Sequence, residues 1–434
     1  MKLAVVVQRY GATINGGAEL HARYVAEHLG RHLEVDVLTT CAVDYVTWRN
    51  ELPPGREVIH GRTVHRFPVD YERDIALFAR RSAAVFERPH SQQSELAWLA
   101  SEGPTSRALI RHLRAHRDTY DFFLFFSYRY YHTYHGIRAV GPRALLVPTA
   151  ERDEAIGLGV FAPLFRGVRA LMYNSPEERA MINAAAGNDD VPADVVGIGS
   201  EVPDRPDPGR FRQRHGLPGR FIVYVGRIDA NKGCLELFDY FLRYARGRPD
   251  GLTLVLIGQP VLQIPAHPRI RHLGFVSDED KFDAMAAAEL LVMPSYFESL
   301  SMVALETWAL GRPVLANGRC EVLKGQCLRS NAGLYYETYQ EFVEALRAMT
   351  DDRPLSQALG RNGIRFYRQH YAWPIIEEKY LKMFARLQAD DRSGACPREV
   401  SPLPGWFARR RRDLPPARER LAHLPSGPVL NAAG

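Results

Sequence analysis

The sequence predicts an α/β protein with two Rossmann-like domains that face each other across a cleft. Short apolar strands alternate with amphipathic helical segments, and this alternation occurs in two successive series. Residues 203–209 (PDRPDPG) separate the two series, and their prolines and glycine favour a linker. The length of 434 residues also exceeds what a single hydrophobic core usually spans.

Six candidate strands form the first series, and each is short and largely apolar. They cover residues 3–7, 35–39, 63–68, 122–127, 144–148 and 170–174. Continuous apolar runs, such as FFLFF at 122–126, suit parallel strands that are covered on both faces. Helices are expected between the strands, including 19–29 and 106–116. A parallel sheet with right-handed crossovers follows, in a first domain over residues 1–203.

The second series predicts a second domain over residues 204–372. Its candidate strands cover residues 221–225, 252–257, 270–273, 290–294 and 313–316, with helices at 235–245 and 302–309. A mostly helical run covers 339–387, and Pro354 and Pro374 should divide it into separate helices. We expect residues 373–390 to cross back onto the first domain. Residues 391–434, which are rich in Pro and Arg, are expected to form a poorly ordered tail.

Composition restricts the partners and the compartment. The formal charge of +6 favours an anionic partner such as a nucleotide sugar, an anionic bilayer or nucleic acid. No zinc-finger, helix-turn-helix or aromatic-basic sheet pattern supports nucleic acid. Five scattered cysteines indicate no disulfide framework, and no apolar run reaches the ~20 residues of a membrane span. We therefore expect a cytoplasmic protein.

Two cations follow the first strand of the second series. Arg227 and Lys232 lie just beyond the predicted strand at 221–225, at the end of a parallel sheet where ligands usually bind. Fixed cations at this place can stabilise the negative charge that develops on a diphosphate leaving group, without a metal ion. A solvated loop that caps a helix is the alternative interpretation of this segment alone.

Two carboxylates flank a predicted helix start in the segment SYFESLSMVALE. Glu298 precedes the helix, which we expect to begin near residue 300, and Glu306 lies roughly two turns inside it. Backbone N–H groups of the first turn are free to bind phosphate. The four residues expected to offer them are Leu300, Ser301, Met302 and Val303. Cations, N–H groups and carboxylates together predict a site for a diphosphate-linked sugar.

These motifs resemble the retaining family-4 glycosyltransferases of the GT-B fold. The resemblance covers residues 1–390 and is most specific over 221–337, where GR…KG, HLGFV, PS…E…E and GRP occur in order. It implies that Arg227 and Lys232 hold the donor diphosphate. It also implies that Glu298 contacts hydroxyls of the donor sugar and that Glu306 contacts the ribose. Phe275 and the rest of 272–276 would then lie beside the base.

The amino-terminal part matches that family only in part. Gly16 and Gly17 resemble its first loop, where the absence of Cβ atoms lets backbone approach a ligand. Many relatives carry a His-Asp pair after the fifth strand, whereas this chain has TAERDE at 149–154. Either Glu151 or Asp153 takes part of that catalytic role, or the site is built differently.

Three further patterns have competing interpretations. His132 and His135 could line the acceptor side, but a packing or surface role is favoured. The DED sequence at 278–280 has the letters of a metal-binding signature, yet its place at a helix start favours capping, so we expect neither metal nor cofactor. The arginine-rich helix at 106–116 could rest on an anionic membrane or turn an apolar stripe to the core.

The resemblance implies a hexosyltransferase-like enzyme that moves a sugar from a nucleotide-diphosphate sugar to a hydroxyl of a glycan or lipid-linked acceptor. Polysaccharide biosynthesis, and a peripheral position on the inner face of a membrane, are the corresponding expectations. Two alternatives remain open at this point. One is a nucleotide-sugar epimerase of the same fold, and the other is a non-catalytic sugar-nucleotide-binding protein, which the missing histidine motivates.

Overall fold

A computed structural model describes residues 1–14, 16–248 and 251–393 of the chain. Within these ranges the chain forms two sheets, one of eight strands and one of six. Residues 394–434, which include nearly all of the predicted tail, lie outside the described residues.

The first sheet contains eight strands in the order β3-β4-β2-β1-β5-β6-β7-β8. Its strands and helices are β1 (Lys2–Val6), α1 (Gly17–Leu29), β2 (Glu34–Thr40), β3 (Gly55–Ile59), β4 (Arg62–Phe67), α2 (Ile75–Phe86), α3 (Gln92–Glu102), α4 (Arg107–Ala115), β5 (Phe122–Phe126), α5 (Tyr131–Val140), β6 (Ala144–Val147), α6 (Phe161–Gly167), β7 (Ala170–Tyr173), α7 (Pro176–Ala186) and β8 (Ala193–Val195). All five residues of β5 are buried, as the sequence predicts for a strand covered on both faces.

The second sheet contains six parallel strands in the order β11-β10-β9-β12-β13-β14. Its elements are α8 (Pro208–His215), β9 (Phe221–Val225), α9 (Cys234–Gly247), β10 (Thr253–Ile257), β11 (Ile270–His272), α10 (Asp278–Ala287), β12 (Leu291–Met293), α11 (Met302–Ala309), β13 (Val314–Asn317), α12 (Glu321–Ser330), β14 (Gly333–Tyr336), α13 (Tyr339–Asp351), α14 (Arg353–His370) and α15 (Trp373–Arg392). Pro354 and Pro374 lie in the first turns of α14 and α15 and divide the helical run, as predicted.

Two local expectations are wrong. The first sheet is not wholly parallel, because β3 pairs antiparallel with β4 at its edge. The expected linker at 203–209 is shorter, since Asp207 caps α8 and Pro208 begins it. The helix predicted at 302–309 is confirmed, and it starts two residues after residue 300 because the hydroxyl of Ser301 accepts the N–H of Ala304 and fixes Ser301 as the N-cap.

The last helix, α15, packs against the first domain. Its Trp373 stacks on the buried ring of His28 from α1, with ring centroids 3.6 Å apart, and His28 Nδ1 lies 2.7 Å from Glu377 Oε1. Phe384 stacks on Phe122 of β5 at 5.8 Å. The last described helix of the chain, which follows the second domain in sequence, therefore packs into the core of the first domain.

Candidate active site

The loop after β9 is organised by one carboxylate. Asp229 accepts the backbone N–H of Lys232 through Oδ1, at 2.8 Å, and the Arg227 Nε–H through Oδ2. Asp229 is buried, whereas the Arg227 side chain stays 43% exposed. The carboxylate therefore holds both cations of this loop at the carboxyl end of the second sheet, and leaves the Arg227 guanidinium open to solvent on one side.

A second loop packs directly on the first. Lys232 Nζ lies 2.8 Å from Glu298 Oε1, so the sequence-predicted cation and carboxylate form an ion pair. Burial opposes the charge of Lys232, but Glu298 and Glu151 outweigh it and raise the pKa of this amine. Lys232 is followed by Gly233, which has φ 71°, and a Cβ there would lie 2.0 Å from the carbonyl oxygen of Pro294. Glycine is thus required for the two loops to meet.

Helix α11 begins at Met302, four residues after Glu298. The N–H groups of Met302 and Val303 lie in its first turn and have no carbonyl four residues back in the helix, so they can bind an anion. Leu300 is buried just before the helix, and Ser301 is its N-cap. Of the four N–H groups predicted to be available, two therefore belong to the first helical turn.

Glu306 is buried on α11 and only half satisfied. Its Oε1 lies 3.3 Å from Lys281 Nζ, while Oε2 is buried without a hydrogen-bond partner. Burial raises the pKa of Glu306, and Lys281 opposes this rise. A buried carboxylate oxygen without a donor can accept a hydrogen bond from a ligand hydroxyl.

The first domain brings Glu151 to the same place. Glu151 follows β6 and is half-buried, and its carboxylate interacts electrostatically with Lys232 and Glu298 of the other domain. Burial raises its pKa from 4.5 to about 7, against the attraction of Lys232. Of the two acidic residues that the sequence offered in place of a histidine, Glu151 is therefore the one that the structure brings to the cations.

Asp153 has a different setting. Its Oδ1 accepts hydrogen bonds from the Tyr128 hydroxyl at 3.0 Å and from the N–H of Ile156, and its Oδ2 lies 2.5 Å from Arg129 Nη1. Arg129 also pairs with the buried Glu102 at 2.9 Å. Through these contacts Asp153 stabilises the loop that carries both Asp153 and Glu151.

Glu178 lies beneath the loop that carries Glu151. It is buried, accepts the N–H groups of Ala150 and Asn174 at 2.6 and 2.5 Å, and burial raises its pKa to about 8. Asn174 in turn donates to Ser299 Oγ across the cleft at 3.3 Å. One carboxyl group thus connects the Glu151 loop with the residue next to Glu298. Glu178 is not evident from the sequence, since the run Ser-Pro-Glu-Glu is typical of ordinary capping at the start of α7.

A direct bond across the cleft was also not foreseen. The Tyr45 hydroxyl in the loop after β2 lies 2.7 Å from Arg227 Nη1, and the centroid of the Tyr45 ring lies 5.8 Å from Arg227 Cζ and 5.5 Å from Arg9 Cζ. Two further ion pairs join the domains, Arg152 with Glu321 at 2.8 Å and Arg329 with Glu177. The loops after β2 and β6 of the first domain therefore contact the second domain directly, at Arg227 and at Glu321.

The glycines of the first loop have distinct roles. A Cβ on Gly16 would lie 2.2 Å from Glu19 Oε2, so this glycine makes space for the Arg9–Glu19 ion pair, whose Nε and Oε1 are 2.8 Å apart. Gly17 has no atom within 4 Å of its Cβ position and begins α1. Space for a ligand beside the backbone is thus available at Gly17.

The remaining candidates lie away from these contacts or are buried. His132 is fully buried, which lowers its pKa to about 3, as expected for packing. Phe275 is 66% exposed beyond β11. Ser277 caps α10 and the residues at 278–280 form its first turn, as predicted. Among the described residues, no group of three His, Cys, Asp or Glu side chains is arranged to hold a metal ion.

Comparison with known proteins identifies the second domain. Residues 219–352 match the family described as Glycosyl transferases group 1, and this range contains Arg227, Lys232, Phe275, Glu298 and Glu306. The second domain is a group 1 glycosyltransferase domain. The chain is 29% identical over 261 residues to a D-inositol 3-phosphate glycosyltransferase of Kineococcus radiotolerans, covering 52% of this chain and 60% of that protein. It is 29% identical over 121 residues to a mannosylfructose-phosphate synthase of Agrobacterium fabrum, covering 24% and 27% of the two chains.

Solved structures extend the similarity to the whole fold. A sucrose-phosphate synthase from Thermosynechococcus elongatus superposes with a TM-score of 0.66 at 16% identity, covering 90% of this chain and all of that chain. Anabaena Alr3699/HepE, solved in complex with UDP-glucose, has a TM-score of 0.64 at 18% identity, with 89% of this chain and all of that chain covered. The chain therefore has the predicted GT-B fold, in which the group 1 glycosyltransferase domain is the second of two Rossmann-like halves.

Proposed function

We propose that the protein transfers a sugar from a nucleotide-diphosphate sugar to a hydroxyl acceptor, with retention of anomeric configuration and without a metal ion. The observation that carries the proposal is the meeting of Lys232, Glu298 and Glu151 at the start of α11. The family of the second domain supports the reaction class, since its named relatives are a glycosyltransferase and a synthase of sugar phosphates. The UDP-glucose complex of Alr3699/HepE supports a nucleotide sugar as donor.

In this proposal the donor diphosphate lies between Arg227, Lys232 and the first turn of α11. The two cations and the N–H groups of Met302 and Val303 stabilise the negative charge that develops as the bond to the sugar breaks. This distribution of positive charge performs the task that a divalent metal performs in other enzymes. Glu306, whose Oε2 lacks a donor, accepts a ribose hydroxyl. Phe275 and its neighbours lie beside the base.

The sugar then faces two carboxylates. Glu298 accepts hydrogen bonds from its hydroxyls, while Glu151 approaches from the first domain and stabilises the positive charge that develops at the anomeric carbon. The departing β-phosphate stays close to the incoming acceptor hydroxyl and takes its proton, so that the new bond forms on the face that the leaving group vacates. We therefore propose that the chain is a retaining family-4 enzyme whose acceptor is a glycan or lipid-linked sugar.

The location follows from the proposed acceptor. We infer a cytoplasmic enzyme, active in polysaccharide biosynthesis, that binds the inner face of a membrane through α4. Arg111 and Arg114 on α4 and Arg117, two residues beyond its end, are exposed, while Leu109 and Leu113 are buried in the core. Among the described residues, every helix is too short or too polar to span a bilayer. Co-sedimentation with phosphatidylglycerol vesicles tests this: changing the three arginines to Gln should abolish binding, and binding that persists rejects α4 as the contact.

The reaction is tested by mass spectrometry of products from a panel of nucleotide sugars with glycan and lipid-linked acceptors. Proton NMR of the product gives the anomeric configuration, and a parallel reaction in EDTA tests the independence from metal. Donor consumed to an isomeric nucleotide sugar, without an acceptor, would indicate an epimerase instead. Donor binding without any turnover would indicate a binding protein.

Lys232→Ala tests the donor site. Loss of the cation should lower kcat/KM by about a hundredfold or more, since single groups that stabilise developing negative charge contribute about that much. Lys324→Ala is the matched control, because Lys324 forms an ion pair of the same length, 2.8 Å, with Glu337 on the exposed surface. The melting temperatures of both variants should stay within a few degrees of wild type. Equal turnover in the two variants would remove Lys232 from the site.

A further inference from the structure

The charge of the first domain at the cleft differs in sign from that of the whole chain. Five loops follow the adjacent strands β4, β2, β1, β5 and β6, and their described residues lie at one edge of the sheet, at 68–74, 41–54, 7–14 with 16, 127–130 and 148–160. They contain five arginines, no lysine and eight Asp or Glu residues, whereas the whole chain has a net charge of +6. The edge that faces the donor site is therefore acidic.

Each arginine in these loops already has a carboxylate partner. Arg9 pairs with Glu19, Arg129 with Glu102 and Asp153, and Arg73 with Glu102 at 3.2 Å. The other two pairs are Arg49 with Glu51 at 3.7 Å and Arg152 with Glu321 at 2.8 Å.

The arginines nearest Tyr45 are also enclosed. The side chains of Arg9 and Arg73 are only 11% and 10% exposed, and they donate further hydrogen bonds to the backbone carbonyls of Val43 and Tyr45. Arg227 and Lys232 on the donor side differ, with side chains 43% and 28% exposed. A phosphate can thus reach the Arg227 guanidinium from solvent, whereas at Arg9 or Arg73 it would have to displace a buried ion pair. The side chains of Arg49, Arg129 and Arg152 are 62%, 30% and 67% exposed, and at these three the carboxylate partners and the net negative charge of the loops oppose a phosphate.

We infer that the acceptor unit bound by the first domain is an uncharged, hydroxyl-rich group and not a sugar phosphate or sugar acid. Carboxylates such as Glu151 accept hydrogen bonds from sugar hydroxyls and repel a second anion beside the donor diphosphate. This inference rests on the proposed function and specifies its acceptor. A lipid-linked acceptor satisfies it when the sugar that accepts is neutral and its phosphates lie further along the molecule.

Matched acceptor pairs test the inference with the full chain and the donor found in the product panel. Suitable pairs are glucose with glucose 6-phosphate, myo-inositol with an inositol monophosphate, and methyl glucoside with methyl glucuronide. For each pair that is turned over, kcat/KM of the neutral member should be at least tenfold higher. A charged member that is preferred in any pair overturns the inference, while leaving the proposed transferase activity intact.

Binding decides the case in which no pair is turned over. Calorimetry with UDP present measures whether glucose 6-phosphate binds, and Arg129→Gln tests whether such binding uses the first domain. Binding in the wild type that is lost in this variant overturns the inference. Absence of binding, or binding unchanged in the variant, supports it. Failure of the proposed function has a separate signature, because the product panel would then give no transfer product with any acceptor, whether or not a nucleotide sugar binds.

Glu151→Gln examines the repulsion itself. At pH 8.5 this variant should lower the ratio of kcat/KM for the neutral and phosphorylated members about tenfold, as expected for removal of one nearby like charge. Any catalytic defect of the variant cancels in the ratio. Glu378→Gln, on α15, is the control and should leave the ratio unchanged. A ratio that does not fall in Glu151→Gln contradicts the electrostatic explanation.

Discussion

Replacement of Glu151 by Gln separates a role in the reaction from a role in stability, because the two should change in opposite directions. Burial raises the pKa of this carboxyl from 4.5 to about 7, so the folded state resists its ionisation. At about 1.4 kcal/mol for each pH unit, ionising Glu151 costs about 3 kcal/mol of stability in the folded protein.

The sign of the pH dependence follows from this rise. Between pH 4.5 and about 7 the folded state binds more protons at Glu151 than the unfolded state does, so its contribution to stability falls as pH rises through this window. Glu151→Gln cannot ionise and escapes the loss. The free energy of unfolding of the variant, relative to that of wild type, should therefore rise by up to about 3 kcal/mol from pH 4.5 to pH 8. Urea denaturation of both proteins at the two pH values measures this change.

Activity should respond in the opposite way. The ionised carboxylate stabilises positive charge on the sugar, so Glu151→Gln should lower kcat by about a hundredfold at pH 8. Wild-type kcat should fall as pH drops below about 7 and approach that of the variant, since protonated Glu151 resembles Gln. Glu154→Gln, an exposed change three residues along the same loop, is the control. A wild-type profile that is flat between pH 6 and 8, or a fully active Glu151→Gln, would refute this reasoning.

Two other contacts give further predictions. Tyr45→Phe removes the hydroxyl that is bound to Arg227. The KM for the donor should rise about fivefold, the equivalent of about 1 kcal/mol, while the melting temperature stays unchanged. An unchanged KM would mean that the bond across the cleft does not position Arg227. Glu377→Ala removes a partner of the buried His28 and should lower the free energy of unfolding by about 2 kcal/mol. The control Glu378→Ala changes an exposed residue and should lower it by less than about 0.5 kcal/mol. Equal denaturation midpoints for the two variants would contradict a stabilising role of the α15 contact.

The second domain was largely predictable because each of its central strands is an apolar run between a helix and a glycine or proline. The edge strand β3 was missed for the opposite reason. Its sequence GREVI is mostly polar and its residues are largely exposed, so neither apolar content nor burial identifies it. A two-residue turn of His60 and Gly61, both with positive φ, joins it to β4, and that turn lacks the Asn-Gly or Asp-Gly pattern that usually indicates a hairpin.

Only the part of the site that belongs to the second domain was predictable from the sequence. Lys232 and Glu298 follow strands that are neighbours in one parallel sheet, so topology alone brings their loops together. Glu151 and Tyr45 belong to the other domain, and their distance from the cations depends on how the two domains are oriented. That orientation comes from contacts such as Asn174 with Ser299, in which neither residue has a distinctive sequence pattern.

The same distinction explains why the sequence left Glu151 and Asp153 as equal candidates. The two carboxylates are two positions apart in a loop, and nothing in their neighbours differentiates them. What differentiates them is Arg129, which binds Asp153 at 2.5 Å and neutralises it, while Glu151 is left facing the cations of the other domain. A carboxylate whose charge is already compensated stabilises a loop. A half-buried carboxylate without a partner among the described residues of its own domain has a charge that a substrate can use, and this makes Glu151 the residue on which the proposed chemistry of the first domain depends.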